Sequence, residues 1–365
     1  MIQSDAVLDF YINANILLVI AFSAWLLIRF ALHRTSLSQA FTFQLQVLNG
    51  MVWALLLSPV FVLLFGLLPT SYSLNLSDFL VSQYLNGGFE MKPSEFEGLM
   101  GMREQLTTQM LDGQTILSQL VALALASGFT LYVIRLGISA ARLRSLIACS
   151  YHWRRFGNLH LRISDKTIVP FSTRSLGSRY VVIPTDMLTR PHDLKIALEH
   201  EFQHFRQNDI EWEIATELLR PFFFWNPVFY IWKNQIEHLR ELACDQQVLA
   251  RGHFDVKAYC DCLLRVCDAS VSGNRKMVSM PRVALVQIDR SALLRRRILS
   301  LFTASKKPLP RHVGGLVILP AILLVAASAI AIQKPADWSQ DRLMLSSIVN
   351  LERLEYRNRF GSPYP

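Results

Sequence analysis

Residues 191–220 read PHDLKIALEHEFQHFRQNDIEWEIATELLR, and this stretch decides what the surrounding chain must be. Pro191 is pre-set for the first turn of a helix, and Thr189 is placed to cap it. No further proline intervenes before Pro221, so the pattern predicts one long helix ending near that residue. His200 and His204 stand four apart and share one face of that helix, from which both imidazoles can reach one metal ion. Glu201 follows the first histidine, where its carboxylate can take a proton from a water activated by that metal. The competing reading is a solvated helix with incidental histidines. Ile196, Ala197, Phe202 and Phe205 oppose it, because apolar residues around the motif predict a packed helix.

Residues 237–250, EHLRELACDQQVLA, predict a second helix with Glu241 and Asp245 one turn apart. If it runs back past the first, Glu241 is the candidate third ligand, giving a His, His, Glu set with one position open for water. Asp245 would then orient a histidine by accepting its outer N–H, and Asp209, five residues after His204, could do the same. For either aspartate a surface or capping role is an equal alternative. Between the helices, Pro221–Trp232 (PFFFWNPVFYIW) is too short to cross a bilayer and is broken at Asn226-Pro227. It reads as a turn followed by a hydrophobic helix start, in the core or against the membrane surface. Upstream, Ser139–Ser150 continues a helix, and Leu159–Ile163, Ile168–Phe171 and Arg179–Ile183 carry short β signals, the last closed by Pro184.

Apolar residues make up 52% of the 365 and charged residues only 18%, a balance that points to a membrane. Ala14–Leu32, Val47–Leu68, Ile116–Ile134 and Val313–Ile332 are each apolar for about the 20 residues a crossing needs. The first is no cleavable signal peptide, since Asp5 and Asp9 precede it instead of basic residues. The polar Asn49, Ser58 and Gln119, with Pro59 and Pro320, lie inside spans and are read as facing neighbouring helices. The net charge of +9 accompanies no nucleic-acid-reading motif, so direct nucleic-acid binding is not expected and the basic residues are read as topology signals. About 27 of the 37 Lys and Arg fall between residues 139 and 312, which places that segment in the cytoplasm. The loop 69–115 is acidic, with Asp78, Glu90, Glu95, Glu97, Glu104 and Asp112 against Lys92 and Arg103, and is expected outside.

The expected fold is therefore a mainly α membrane protein, with four transmembrane helices and a cytoplasmic α+β zinc peptidase domain between the third and fourth. Residues 1–138 carry three spans, a short cytoplasmic hairpin at His33 and Arg34, and the outer loop. Residues 139–312 form the peptidase domain, 313–333 the fourth span, and 334–365 a short outer tail. The five cysteines (Cys149, Cys244, Cys260, Cys262 and Cys267) fit a reducing compartment rather than a disulfide framework. Cys260 and Cys262, spaced CxC without a second pair, are read as incidental. Arg295–Arg297 is read as a cytoplasmic boundary marker, with a processing site as the alternative.

HEFQHFRQND at 200–209, WNP at Trp225–Pro227, ELACD at Glu241–Asp245, and Pro170-Phe171 with Ile183-Pro184 together resemble the BlaR/MecR family of integral-membrane zinc metallopeptidases, the sensor-transducers of β-lactam resistance. The resemblance covers the chain to about residue 333. It implies a gluzincin-like protease with His200, His204 and Glu241 on Zn2+, Glu201 as base, and an edge strand holding substrate in extended form. It also implies multi-pass residence in a bacterial cytoplasmic (inner) membrane with both termini outside. The implied substrate is a protein, either a cytoplasmic DNA-binding repressor or the chain itself. The penicillin-binding domain that follows the fourth span in the β-lactam sensors has no counterpart in the 32 or so remaining residues, so β-lactam sensing is not implied. Two other classes compete: a constitutive quality-control protease of the HtpX class, and a non-enzymatic membrane receptor with structural zinc. Glu201 argues against the latter, because a structural site needs no general base. Oligomeric state is not legible here, a homodimer being one candidate.

Overall fold

The computed structural model describes residues 2–67, 75–112, 115–175, 177–272, 290–303, 311–333 and 340–360. In chain order the helices and strands are α1 (Ile2–His33), α2 (Phe41–Leu56), α3 (Ser58–Gly66), α4 (Leu76–Leu85), α5 (Pro93–Asp112), α6 (Ile116–Ala148), β1 (Tyr151–Phe156), β2 (Leu159–Ser164), β3 (Phe171–Arg174) and β4 (Arg179–Pro184), then α7 (Pro191–Gln207), α8 (Asp209–Leu219), α9 (Pro227–Ala250), α10 (Val256–Ser272), α11 (Arg290–Thr303), α12 (Arg311–Ala331) and α13 (Gln340–Phe360). The chain is mainly helical with one small sheet. Two described helices are long and apolar enough to cross a membrane, Val7–His33 and Ile116–Ala148.

The other two expected spans take different forms. Val47–Leu68 is divided at Leu57 between α2 and α3, which meet at 55°, the geometry of a broken span or a re-entrant loop. Pro59 at the start of α3 supplies the break, since it cannot continue the hydrogen-bond ladder of α2. The fourth falls on α12, a helix of 21 residues with Pro320 inside it and Gly315–Ala331 as its apolar stretch. Residue 68 at the end of the second expected span, residues 69–74 and 113–114 of the expected outer loop, and 304–310 and 334–339 on either side of α12 lie outside the described residues.

Residues 1–24, 49–126 and 316–365 form one compact unit. In it the described part of the loop expected outside carries the helices α4 and α5. Asn75 caps α4 by accepting from Ser77 N at 3.0 Å. Both α4 and α5 pack on α13, a helix the tail was not expected to form. Val81, Phe96, Leu345 and Val349 are buried between the three, and Tyr84 stacks on Phe96 at 4.2 Å. Around that core Arg342 donates to Asp78 (3.3 Å) and Glu352 accepts from Ser94 N (3.1 Å).

Residues 25–48 and 127–315 form the second unit, whose sheet has the order β1-β2-β4-β3. The pairs β1/β2 and β3/β4 are antiparallel and β2/β4 is parallel. Strand β1, YHWRRF, carried no β signal because both its faces are largely exposed and it has no apolar alternation. The strand expected at Ile168–Phe171 begins only at Phe171, after Pro170, which has no N–H for the ladder. On β4, Val181, Val182 and Ile183 are fully buried.

Helix α7 is the centre of this unit. On one side Ala197 and Phe205 pack with Leu161, Val181, Ile183 and Met187 of the sheet region. On the other, Ile196 packs with Cys244 and Val248 of α9, Tyr259, Cys260 and Cys262 of α10, and Leu301 of α11. Cys260 and Cys262 are thus core thiols, and burial pushes Cys262 up to about 11. The single helix expected from Pro191 to Pro221 is two. Asn208 has φ 56° and ψ 32°, the left-handed conformation that asparagine tolerates better than most side chains, and it turns the chain between α7 and α8. Thr189 is not the cap of α7: Arg190 holds that position with no side-chain bond, and Thr189 Oγ1 donates to Asp186 O (2.8 Å) in the preceding 3-10 turn. Pro221–Trp232 is a turn and helix start as read, with Phe223, Phe229 and Trp232 buried and Asn226 capping Val228 N at 3.0 Å.

Candidate metal centre

The two histidines come from one helix face and the acidic residues from a neighbour, so the site depends on α9 packing against α7. That packing is closed by Ile196 of α7 against Cys244 and Val248 of α9, all three buried. His204 Nε2 lies 3.2 Å from His200 Nε2. Glu241 approaches both from α9, Oε2 at 3.6 Å from His200 Nε2 and Oε1 at 4.0 Å from His204 Nε2. Two ligand atoms at about 2.1 Å from one tetrahedral ion stand about 3.4 Å apart. The two Glu241 oxygens each face one inner nitrogen, and the donor types of the three side chains fit a divalent ion. Glu201 is buried (6% exposed) beside His200.

The outer nitrogens are held from behind. Asp209 Oδ2 lies 2.8 Å from His204 Nδ1 and is itself buried. Its place follows from the turn at Asn208. His200 Nδ1 is 2.9 Å from Tyr259 Oη on α10, and Tyr259 donates to Asp245 Oδ1 at 2.7 Å. Asp245 itself is 3.4 Å from His200 Nδ1, so its closest hold on that ring runs through the phenol. Bonded this way, each ring presents its Nε2 to the common point.

Three further residues belong to this cluster, and sequence reasoning missed them. Tyr259 gave no signal beyond being a polar aromatic on a mixed helix. Arg297, expected as one of three boundary charges, turns inward: Arg295 and Arg296 are exposed, while Arg297 meets both Asp245 and Glu241. Cys244 places Sγ within 4.8 Å of ligand atoms of both histidines. Its sulfur is nearer to His200 Nδ1 (3.5 Å) than to Nε2 (4.0 Å) and also touches the His200 carbonyl (3.5 Å). It thus packs beside the ring, whereas Glu241 faces the inner nitrogens.

The electrostatics favour a cation. Burial pushes the His200 and His204 imidazoles down, yet both are held well above their usual range. For His200 the opposing groups are Cys244, Tyr259 and Asp245; for His204 they are Cys244 and Asp209. Burial raises Glu241, but Arg297 and the two histidines outweigh it and hold the carboxyl well below the usual range. The same acidic neighbours would favour a dication held at the inner nitrogens.

The family model described as BlaR1 peptidase M56 matches residues 9–300, a span that includes every residue of this cluster. None of the curated proteins matches the chain.

Proposed function

The chain belongs to the BlaR1 peptidase M56 family, and on that premise we propose that it is a membrane zinc metalloendopeptidase in which His200, His204 and Glu241 hold the metal and Glu201 is the general base. The observation that carries this reading is the approach of Glu241 to both inner imidazole nitrogens, 3.6 and 4.0 Å away. Held by His200, His204 and Glu241, zinc would supply Lewis acidity toward a peptide carbonyl and would lower the pKa of water toward neutral. Glu201 takes the proton of the attacking water and passes it to the leaving amine. Asp209 and the Tyr259–Asp245 pair keep the rings turned so that Nε2 faces inward. Strand β3, which packs on α7 and lies at the end of the sheet beside β4 among the described residues, would offer its outer backbone edge to an extended peptide.

In cells the proposed role is signal transduction: cleavage of a cytoplasmic DNA-binding repressor, or of the chain itself, by a site on the cytoplasmic face. The concentration of Lys and Arg between residues 139 and 312 supports that orientation. Purified protein should hold about one zinc per chain, lost on changing His200, His204 or Glu241 to Ala. Glu201→Gln should keep the metal and lose proteolysis, and comparison of the two proteomes should reveal the lost cleavage product. Wild-type cleavage by Glu201→Gln would refute the enzymatic reading.

A further inference from the structure

Arg297 lies on α11, more than fifty residues beyond Glu241, and shares the inward face of that helix with Ser300 and Leu301, both buried. Its side chain is 14% exposed. Three of its nitrogens are engaged: Nε with Asp245 Oδ2 at 2.7 Å, Nη2 with Asp245 Oδ1 at 2.7 Å, and Nη1 with Glu241 Oε2 at 2.9 Å. We infer that Arg297 is a positioning residue of the metal centre, fixing the carboxylate that serves as third ligand and, through Asp245 and Tyr259, the ring of His200.

The geometry gives this arginine a role that a general counter-charge would not have. Asp245 is fully buried, and its two oxygens are occupied by the Arg297 fork and by Tyr259. The phenol held in that way is the group nearest His200 Nδ1. Glu241 Oε2 stands between Arg297 and His200 Nε2, so one guanidinium sets the orientation of both acids at once. Only a planar fork does this; a lysine ammonium is a single point of charge and cannot grip Asp245 with two parallel bonds while reaching Glu241. Among the described residues a second bidentate pair of the same form, Arg265 with Asp193 at 2.8 and 2.6 Å, ties α10 to α7 without touching Glu241. It serves as an internal control for a purely structural arginine.

This inference rests on the metal centre proposed above, and the test separates the two. Zinc affinity of the full-length chain in detergent is measured by chelator competition for wild type, Arg297→Lys and Arg265→Lys, with thermal unfolding of each metal-free protein alongside. Loss of an outer-shell partner is worth about 10–100-fold in metal affinity, so Arg297→Lys should weaken zinc binding by that factor while Arg265→Lys stays within about twofold of wild type. Should Arg297→Lys fail to fold, Arg297→Gln, which keeps a donor without the charge, is read in the same way. Binding by the Arg297 variant within about twofold of wild type overturns the inference, as does an equal loss in the Arg265 control. A wild-type chain that holds no zinc refutes the metal centre itself.

Discussion

Asp209→Ala removes the carboxylate that holds His204 from behind, and its effect can be worked from two separate roles of that residue. The first is the 2.8 Å contact from Oδ2 to His204 Nδ1, buried on both sides. Losing such a contact lets the imidazole rotate, at about 10–100-fold in metal affinity. At about 1.4 kcal/mol per tenfold, that is about 1.4–2.8 kcal/mol of binding free energy. The second role is as the first residue of α8, where a carboxylate in the first turn is worth about 0.3–1 kcal/mol to the helix. Arg240 Nε, 3.9 Å from Oδ1, is too distant to add a hydrogen bond. Zinc dissociation constants from chelator competition isolate the first role, and unfolding of the metal-free protein reads the second. Asp209→Asn, which keeps an acceptor but loses the charge, should fall between wild type and Ala. If Asp209→Ala lowers the unfolding temperature while zinc affinity stays at the wild-type value, the residue is only a helix-end device and the orienting role is refuted.

Two further outcomes are expected. The Arg265 guanidinium holds the Asp193 carboxyl below its usual range against the opposing effect of burial, so the folded chain binds that proton less readily than the unfolded chain. Its stabilisation is present above about pH 4 and fades as the pH falls through the depressed folded value. With Arg265 half exposed, Asp193→Asn should cost about 1–2 kcal/mol at pH 7 and progressively less as the pH falls through the depressed folded value, and a cost that does not fall in acid would contradict the pair. Reporter fusions at Gly252 should be active only with a cytoplasmic reporter and fusions at Gly88 only with an exported one; the reverse pattern would put the site on the other face of the membrane.

The approach of His200 to His204 was legible because helical spacing alone puts both on one face, and such local geometry survives any tertiary arrangement. Glu241, in contrast, could be read only on the condition that its helix runs back past the first. Tyr259, Cys244 and Arg297 were not legible, because their roles depend on how α10 and α11 dock on α9. Arg297 was moreover hidden in a run of three arginines whose simplest meaning is a charged boundary. Asp209 shows a subtler limit. On a continuous helix, five residues at about 100° each carry it about 140° round the axis from His204, away from the metal face. Only the left-handed Asn208 brings it back, and nothing nearby except the asparagine itself marks the break. The two helices long enough to cross were legible as apolar runs, but the bend at Leu57 depends on Pro59 ending one helix and starting another.

Helix α13 makes the order of synthesis matter. It packs against α4 and α5, whose hydrogen-bond partner at Ser94 lies 258 residues earlier in the chain than Glu352. At about 5–20 residues per second, the ribosome needs roughly 10–50 s after making Ser94 before it supplies Glu352. Through that interval Val81 and Phe96 lack Leu345 and Val349, the residues that complete their core. The earlier helices must therefore wait with an apolar face uncovered, and a chaperone acting on this protein would find its longest-lived target there rather than at the metal site.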